Sequence, residues 1–151
     1  MRTMLVGAVM LLACLSGAAR ADEASAVKAV GNLGGKVTRD DKLPGKPVIA
    51  VNLYDTKVKD AGLKELKHLK QLTSLNLHGA HVTDAGLKEL KELKQLTSLD
   101  LDHTKVTDAG LKELKDLKQL TSLGLSRTKV TDAGVEELRA ALPHCKIYRH
   151  R

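Results

Sequence analysis

His78, Asp102, His103 and Ser126 are the residues of this 151-residue chain whose types and spacing could do chemistry. A serine, a histidine and an aspartate are the parts of a nucleophilic hydrolase. Two histidines with a carboxylate are parts of a metal centre. The first chemistry needs a Ser-to-imidazole hydrogen bond, a third group orienting that imidazole, and donors for a developing oxyanion. Zinc needs three or four convergent ligands. Whether these side chains meet at all depends on the elements that carry them.

Those elements are copies of one another. The stretch Leu72 to Gln95, LTSLNLHGAHVTDAGLKELKELKQ, recurs next door as LTSLDLDHTKVTDAGLKELKDLKQ from Leu96 to Gln119, and Asp-Ala-Gly opens at Asp60, Asp84, Asp108 and Asp132, a period of 24 residues. Within one unit Leu72, Leu75, Leu77 and Val82 have strand-like spacing, whereas Leu87, Leu90 and Leu93 have helical spacing. Each unit is therefore expected to be one strand plus one helix. Burying an aliphatic side chain contributes roughly 1.5–3 kcal/mol, but ordering each backbone residue costs about 1–2 kcal/mol. A single unit cannot fold alone, so neighbours must stack, with strands in a parallel sheet on one side, helices on the other, and leucines between. The aspartates at 60, 84, 108 and 132 are expected to cap the helices, in preference to the threonine before them. The glycines at 62, 86, 110 and 134 sit where propensity disfavours them, which points to close backbone approach between units.

Alternation places the chemistry on the sheet. Asn76 and His78 flank Leu77 and must point away from it, onto the exposed face. Stacking then predicts three columns: Asn52, Asn76, Asp100, Gly124; Tyr54, His78, Asp102, Ser126; and Asp55, Gly79, His103, Arg127. The two closest copies differ mainly here, so the expected contact residues are Asn52, Tyr54, Asp55, Asn76, His78, Asp100, Asp102, His103, Ser126 and Arg127, with Thr73-Ser74, Thr97-Ser98 and Thr121-Ser122 beside them. A flat sheet offers no evident oxyanion donors or water-excluding pocket, so no enzyme and no cofactor are expected. His103 belongs to a different column from His78 and Asp102; the expectation is a plain His78-to-Asp102 contact and no metal site. On the helical side Lys64, Lys88 and Lys112, and Lys67, Lys91 and Lys115, form columns with Glu65, Glu89 and Glu113 between them, the pattern of a solvated face. Nucleic acid is not an expected partner, because the chain has no Trp or Phe to stack on bases and little Arg in the repeats.

The pattern LxxLxLxxTxVTDAGLxxL, from Val48 to about Ile147, resembles the leucine-rich repeats of F-box leucine-rich proteins and of short secreted bacterial leucine-rich repeat proteins. The resemblance implies an α/β fold: a leucine-rich repeat solenoid, a right-handed β-α superhelix with a short parallel sheet on the concave face and helices on the convex face. It implies much less about activity, since such families share a scaffold and bind different partners. No added helical domain matches an F-box, so a ubiquitin-ligase role is not carried over. Where F-box relatives often have Cys, this chain has Thr56, Thr104 and Thr128, whose hydroxyls can bond turn backbone, with Ala80 as the exception.

The expected organisation is a signal peptide at 1–21, an N-terminal cap of helix plus short strand at 22–47, four 24-residue repeats at 48–143, and a C-terminal cap strand at 144–151. Arg2, the apolar run from Met4 to Leu15 and Ala19-Arg20-Ala21 fit cleavage before Asp22; Leu11-Leu12-Ala13-Cys14 offers the alternative of a lipid anchor on Cys14. Cleavage would take 25 basic residues to 23 against 18 acidic ones, a formal charge of +5 in place of +7. Cys145 would then be the one cysteine, which fits a periplasmic or secreted bacterial setting better than a disulfide-capped one. The last helix is expected to be short, Glu136 to Leu142, before Pro143. The function expected is a non-catalytic extracytoplasmic protein- or peptide-binding module using the concave sheet face. The alternative is an envelope-associated structural protein or lipoprotein with a Lys-rich convex face, membrane contact coming only through Cys14 or net charge.

Overall fold

A computed structural model describes residues 17–150. The proposed signal segment therefore lies outside the described residues, Cys14 included, except for 17–21, which start the first helix. That helix, α1, spans Gly17–Asn32. Ala26 and Val30, four residues apart and so on one face, are buried in the core, with Val27 and Leu33 packed against it. Gly34, at φ +79°, then turns the chain into strand β1, Lys36–Arg39, which pairs antiparallel with β2, Val48–Asn52.

From β2 onward every pairing is parallel. Strands β3 (Ser74–Asn76), β4 (Ser98–Asp100), β5 (Ser122–Gly124) and β6 (Lys146–Tyr148) follow in chain order, giving a six-stranded sheet β1-β2-β3-β4-β5-β6. The register sets Val51 beside Leu75, Leu99, Leu123 and Ile147. Leu75, Leu99 and Leu123, together with Leu53, Leu77, Leu101 and Leu125, are essentially without solvent contact. Pairing also runs past the strands: the amides of Leu53, Leu77, Leu101 and Leu125 donate to Asn76, Asp100, Gly124 and Tyr148 carbonyls at 2.8–3.0 Å. A one-residue slip would turn this whole leucine set outward, so the register is tightly specified. The fold is thus an α/β solenoid with a parallel sheet along one side.

The helical side departs from one helix per unit. The first repeat has a 3-10 helix throughout Asp60–His68. The next two have one α turn, α2 (Asp84–Leu87) and α3 (Asp108–Leu111), each continued by a short 3-10 stretch. Parallel strands lie about 4.7–4.9 Å apart while packed α-helices sit 8–10 Å apart; the tighter 3-10 form lessens that mismatch between the two sides of the stack. The last helix, α4, covers Asp132–Ala141. It is the longest helix among the described repeats, not a shortened one.

The expected helix caps are corrected as well. Thr83, Thr107 and Thr131 are the cap residues, their side chains accepting from the amides of Ala85, Ala109 and Gly134. At Lys59, where the threonine is missing, no side-chain cap forms. The aspartates face the following repeat instead. Asp60 accepts from the Thr83 amide at 2.8 Å and from its hydroxyl at 2.7 Å, and Asp84 with Thr107 and Asp108 with Thr131 repeat the pair. This also explains three of the glycines. A Cβ on Gly86 would come within 2.5 Å of Asp60 Oδ1, and Gly110 and Gly134 face Asp84 and Asp108 in the same way. The close approach is by a carboxylate, not by backbone; Gly62, with no repeat before it, meets Val58 and Leu33.

Candidate functional site

The outer sheet face carries the predicted columns, and the ladder fixes their order. Asn52, Asn76, Asp100 and Gly124 are in register and continue to Tyr148. Beyond the strands, the Asp55, Gly79, His103 and Arg127 amides donate to His78, Asp102, Ser126 and His150 carbonyls, which lines up Tyr54, His78, Asp102, Ser126 and His150. Tyr148 and His150 were not among the residues singled out from the sequence. Adding one more period of 24 to Gly124 and Ser126 would have reached them.

Several members of these columns hold the backbone. Asn52 Oδ1 accepts from the Tyr54 amide, Asn76 Oδ1 from His78 and Asp100 Oδ1 from Asp102, all at 2.9 Å. Gly124 has no side chain for the fourth turn, and Asp102 Oδ1 reaches across to take the Ser126 amide at 2.6 Å. Gly124 makes room for this, since a Cβ there would meet Asp102 Oδ1 at 2.8 Å and Asp100 Oδ1 at 3.0 Å. Asp102 is consequently a structural residue as well as a surface one. Thr73, Thr97 and Thr121 direct their hydroxyls along the stack to the carbonyls of Ile49, Thr73 and Thr97. Thr56, Thr104 and Thr128 donate to Leu53, Leu101 and Leu125 carbonyls within their own turns.

The third column has a backbone cause. Asp55, His103 and Arg127 all have φ between 50° and 58°, and Gly79 has φ 70°. This is the left-handed region, which costs a non-glycine residue roughly 1–2 kcal/mol. Side chains at this position project from a forced turn, and all but glycine stand exposed.

Rings form the second feature. Tyr54 stacks on His78 with centroids 4.8 Å apart and planes 24° apart. His78 in turn meets His103 at 4.9 Å and 38°. Tyr54 is 53% exposed and Tyr148 51%, so both tyrosines of a chain without Phe or Trp stand in solvent on one face. His78 Nδ1 lies 4.0 Å from Asp100 Oδ2; the ion-pair contact expected with Asp102 is made diagonally to Asp100.

Ser126 corrects the predicted surface. It is 8% exposed, covered by the chain after β6, with its Oγ accepting from the His150 amide at 3.3 Å. A buried serine whose oxygen faces backbone is neither a contact residue nor placed as a nucleophile. Cys145 is buried too, and burial pushes its thiol pKa above the ordinary value. On the helical side Lys64, Lys67, Lys88, Lys91 and Lys112 are exposed, while Lys115 pairs with Glu137 at 2.6 Å. That bond holds the Glu137 pKa below the usual carboxylate value. Arg149, beyond β6, pairs with Asp132 at the start of α4.

Stacked strand-and-turn units with in-register leucines define the class as a β-α solenoid. Residues 68–91 and 94–115 match the family described as Leucine Rich repeat. Among solved structures it is similar to internalin C2 from Listeria monocytogenes, at 26% identity and TM-score 0.48, over 58% of this chain and 36% of that one. Internalin F from the same organism gives 23% identity and TM-score 0.42, over 59% and 31%. A PEPR1–AtPEP1 complex gives 16% identity and TM-score 0.43, over 76% and 19%. The chain thus spans no more than about a third of the length of these proteins. No curated protein matches the sequence.

Proposed function

We propose that this chain is a non-catalytic, extracytoplasmic binding module that takes a protein or peptide on the outer face of its sheet. One observation carries the reading: Tyr54 and Tyr148, the chain's two large aromatic side chains, are both more than half exposed on that face. Leaving two tyrosines in water forgoes their burial, whereas at an interface an aromatic ring with a polar tip supplies contact area at low entropic cost. Tyr54, His78 and His103 supply stacking surface, and Asn52, Asp55, Asn76, Asp100, Asp102 and Arg127 supply polar contacts around it. Solenoids of this kind commonly use such an extended sheet face as a binding surface. Extracytoplasmic placement rests on Arg2, the apolar Met4-to-Leu15 run and Ala19-Arg20-Ala21.

Affinity capture from native envelope extract, followed by titration of the captured partner, tests this. Tyr54→Ala with Tyr148→Ala should weaken binding at least about tenfold, the effect of losing one or two aromatic anchors, with an unchanged melting temperature. Equal affinity in that double variant contradicts the assignment. Salt-sensitive retention on anionic vesicles that is lost in Lys88→Ala/Lys112→Ala would instead place the activity on the helical side.

A further inference from the structure

His78, Asp100 and Asp102 each offer a ligand atom, and these atoms lie within 4.8 Å of one another. We propose that they form a solvent-facing site for a divalent transition-metal ion of the zinc type. The inference goes beyond capture of a protein and does not depend on it, because the ion is held by this chain alone.

Three features set the cluster apart from scattered surface acids. The first is fit. Ligands at about 2.0–2.2 Å from a tetrahedral zinc ion stand roughly 3.4 Å from each other. His78 Nδ1 and Asp100 Oδ2 are 4.0 Å apart and the whole set lies within 4.8 Å, so the side chains have to draw together to close on an ion. The second is that the carboxylates are held in place. Asp100 Oδ1 is fixed by the Asp102 amide and Asp102 Oδ1 by the Ser126 amide, the kind of outer hydrogen bonding that orients metal ligands. Each can still coordinate through its other oxygen. The third is room: Gly124 is the neighbour in register with Asp100, and a Cβ there would fill the hollow that both carboxylates border.

Charge and donor type point the same way. Asp100 and Asp102 sit side by side, and among the described residues the ion-pair contact made by either of them is to His78, at 4.0 Å. A cation relieves that repulsion. An imidazole with two carboxylates suits zinc, copper or nickel better than magnesium or calcium, which prefer oxygen alone. Three protein ligands leave at least one position to water, so the ion would be exchangeable and open to a further donor.

Isothermal titration of the untagged full chain with Zn²⁺, at neutral pH in a non-coordinating buffer, tests the site, with Co²⁺ absorption as a second readout. One equivalent should bind, and His78→Gln, Asp100→Asn and Asp102→Asn should each weaken it about tenfold or more. The Asn variants keep an oxygen acceptor for the backbone amides, and an unchanged melting temperature shows that they are folded. Gly124→Ala should also weaken binding, whereas His144→Ala should not. No binding, or binding indifferent to His78→Gln, Asp100→Asn and Asp102→Asn, overturns the proposal. No protein partner enters the titration, so its failure leaves the capture experiment to be judged separately.

Discussion

Asp84 closes the seam between two repeats twice, accepting from the Thr107 amide at 2.8 Å and from the Thr107 hydroxyl at 2.6 Å. The residue conserved in position from repeat to repeat is therefore a stacking residue, and the threonine beside it makes the cap. Because a carboxylate acceptor makes each bond stronger than a neutral one, Asp84→Ala should lower unfolding free energy by about 2 kcal/mol. Chemical denaturation measures this; a change within error would show that water replaces the carboxylate.

Gly110 lies against that same carboxylate. Gly110→Ala should destabilise by about 1–3 kcal/mol through overpacking. In the Asp84→Ala background the added methyl has space, so the double variant should be more stable than the sum of the two single losses predicts. Additive losses in the four-protein cycle would mean that the glycine serves the backbone and not its neighbour's side chain.

His103 and Arg127 occupy the left-handed turn at φ 58° and 54°. Glycine at either position relieves strain but adds freedom to the unfolded chain, and the balance should favour the folded state by about 1 kcal/mol. Thermal melts of His103→Gly and Arg127→Gly read this. A lower melting temperature would mean that the side chains contribute more through contacts than the turn costs them.

Much of this was legible because the period is strict. The leucines at 75, 77, 99 and 101 specify strand register and burial, and the same arithmetic sets His78 beside Asp102. What a single repeat does not show is the reach of a side chain into the next one. Asp84 reads as a helix cap when its own unit is considered, and only its distance to Thr107 reveals otherwise. Ser126 reads as exposed by alternation, but the chain after β6 lies over it. His78 meets Asp100 diagonally while its ring stacks on Tyr54 and lies tilted against His103, and no spacing rule encodes a side-chain orientation.

Acid should open the last seam. The Thr131 hydroxyl and amide, by donating to Asp108, hold its pKa below the ordinary value of 3.8. A carboxylate with a depressed folded pKa contributes stability that is complete above its unfolded value and disappears as pH falls through the folded one. Stability should therefore drop below about pH 4 through this group, and Thr131→Val should make that drop shallower. An identical acid profile in Thr131→Val would remove the Asp108–Thr131 bond from the account.

The most direct test of the binding face is an amide NMR footprint of the captured partner on the isotopically labelled chain. The account predicts the largest shifts at Tyr54, His78, His103 and Tyr148, along one side of the sheet. Shifts concentrated instead at Lys64, Lys88 and Lys112, with the sheet residues unmoved, would contradict it.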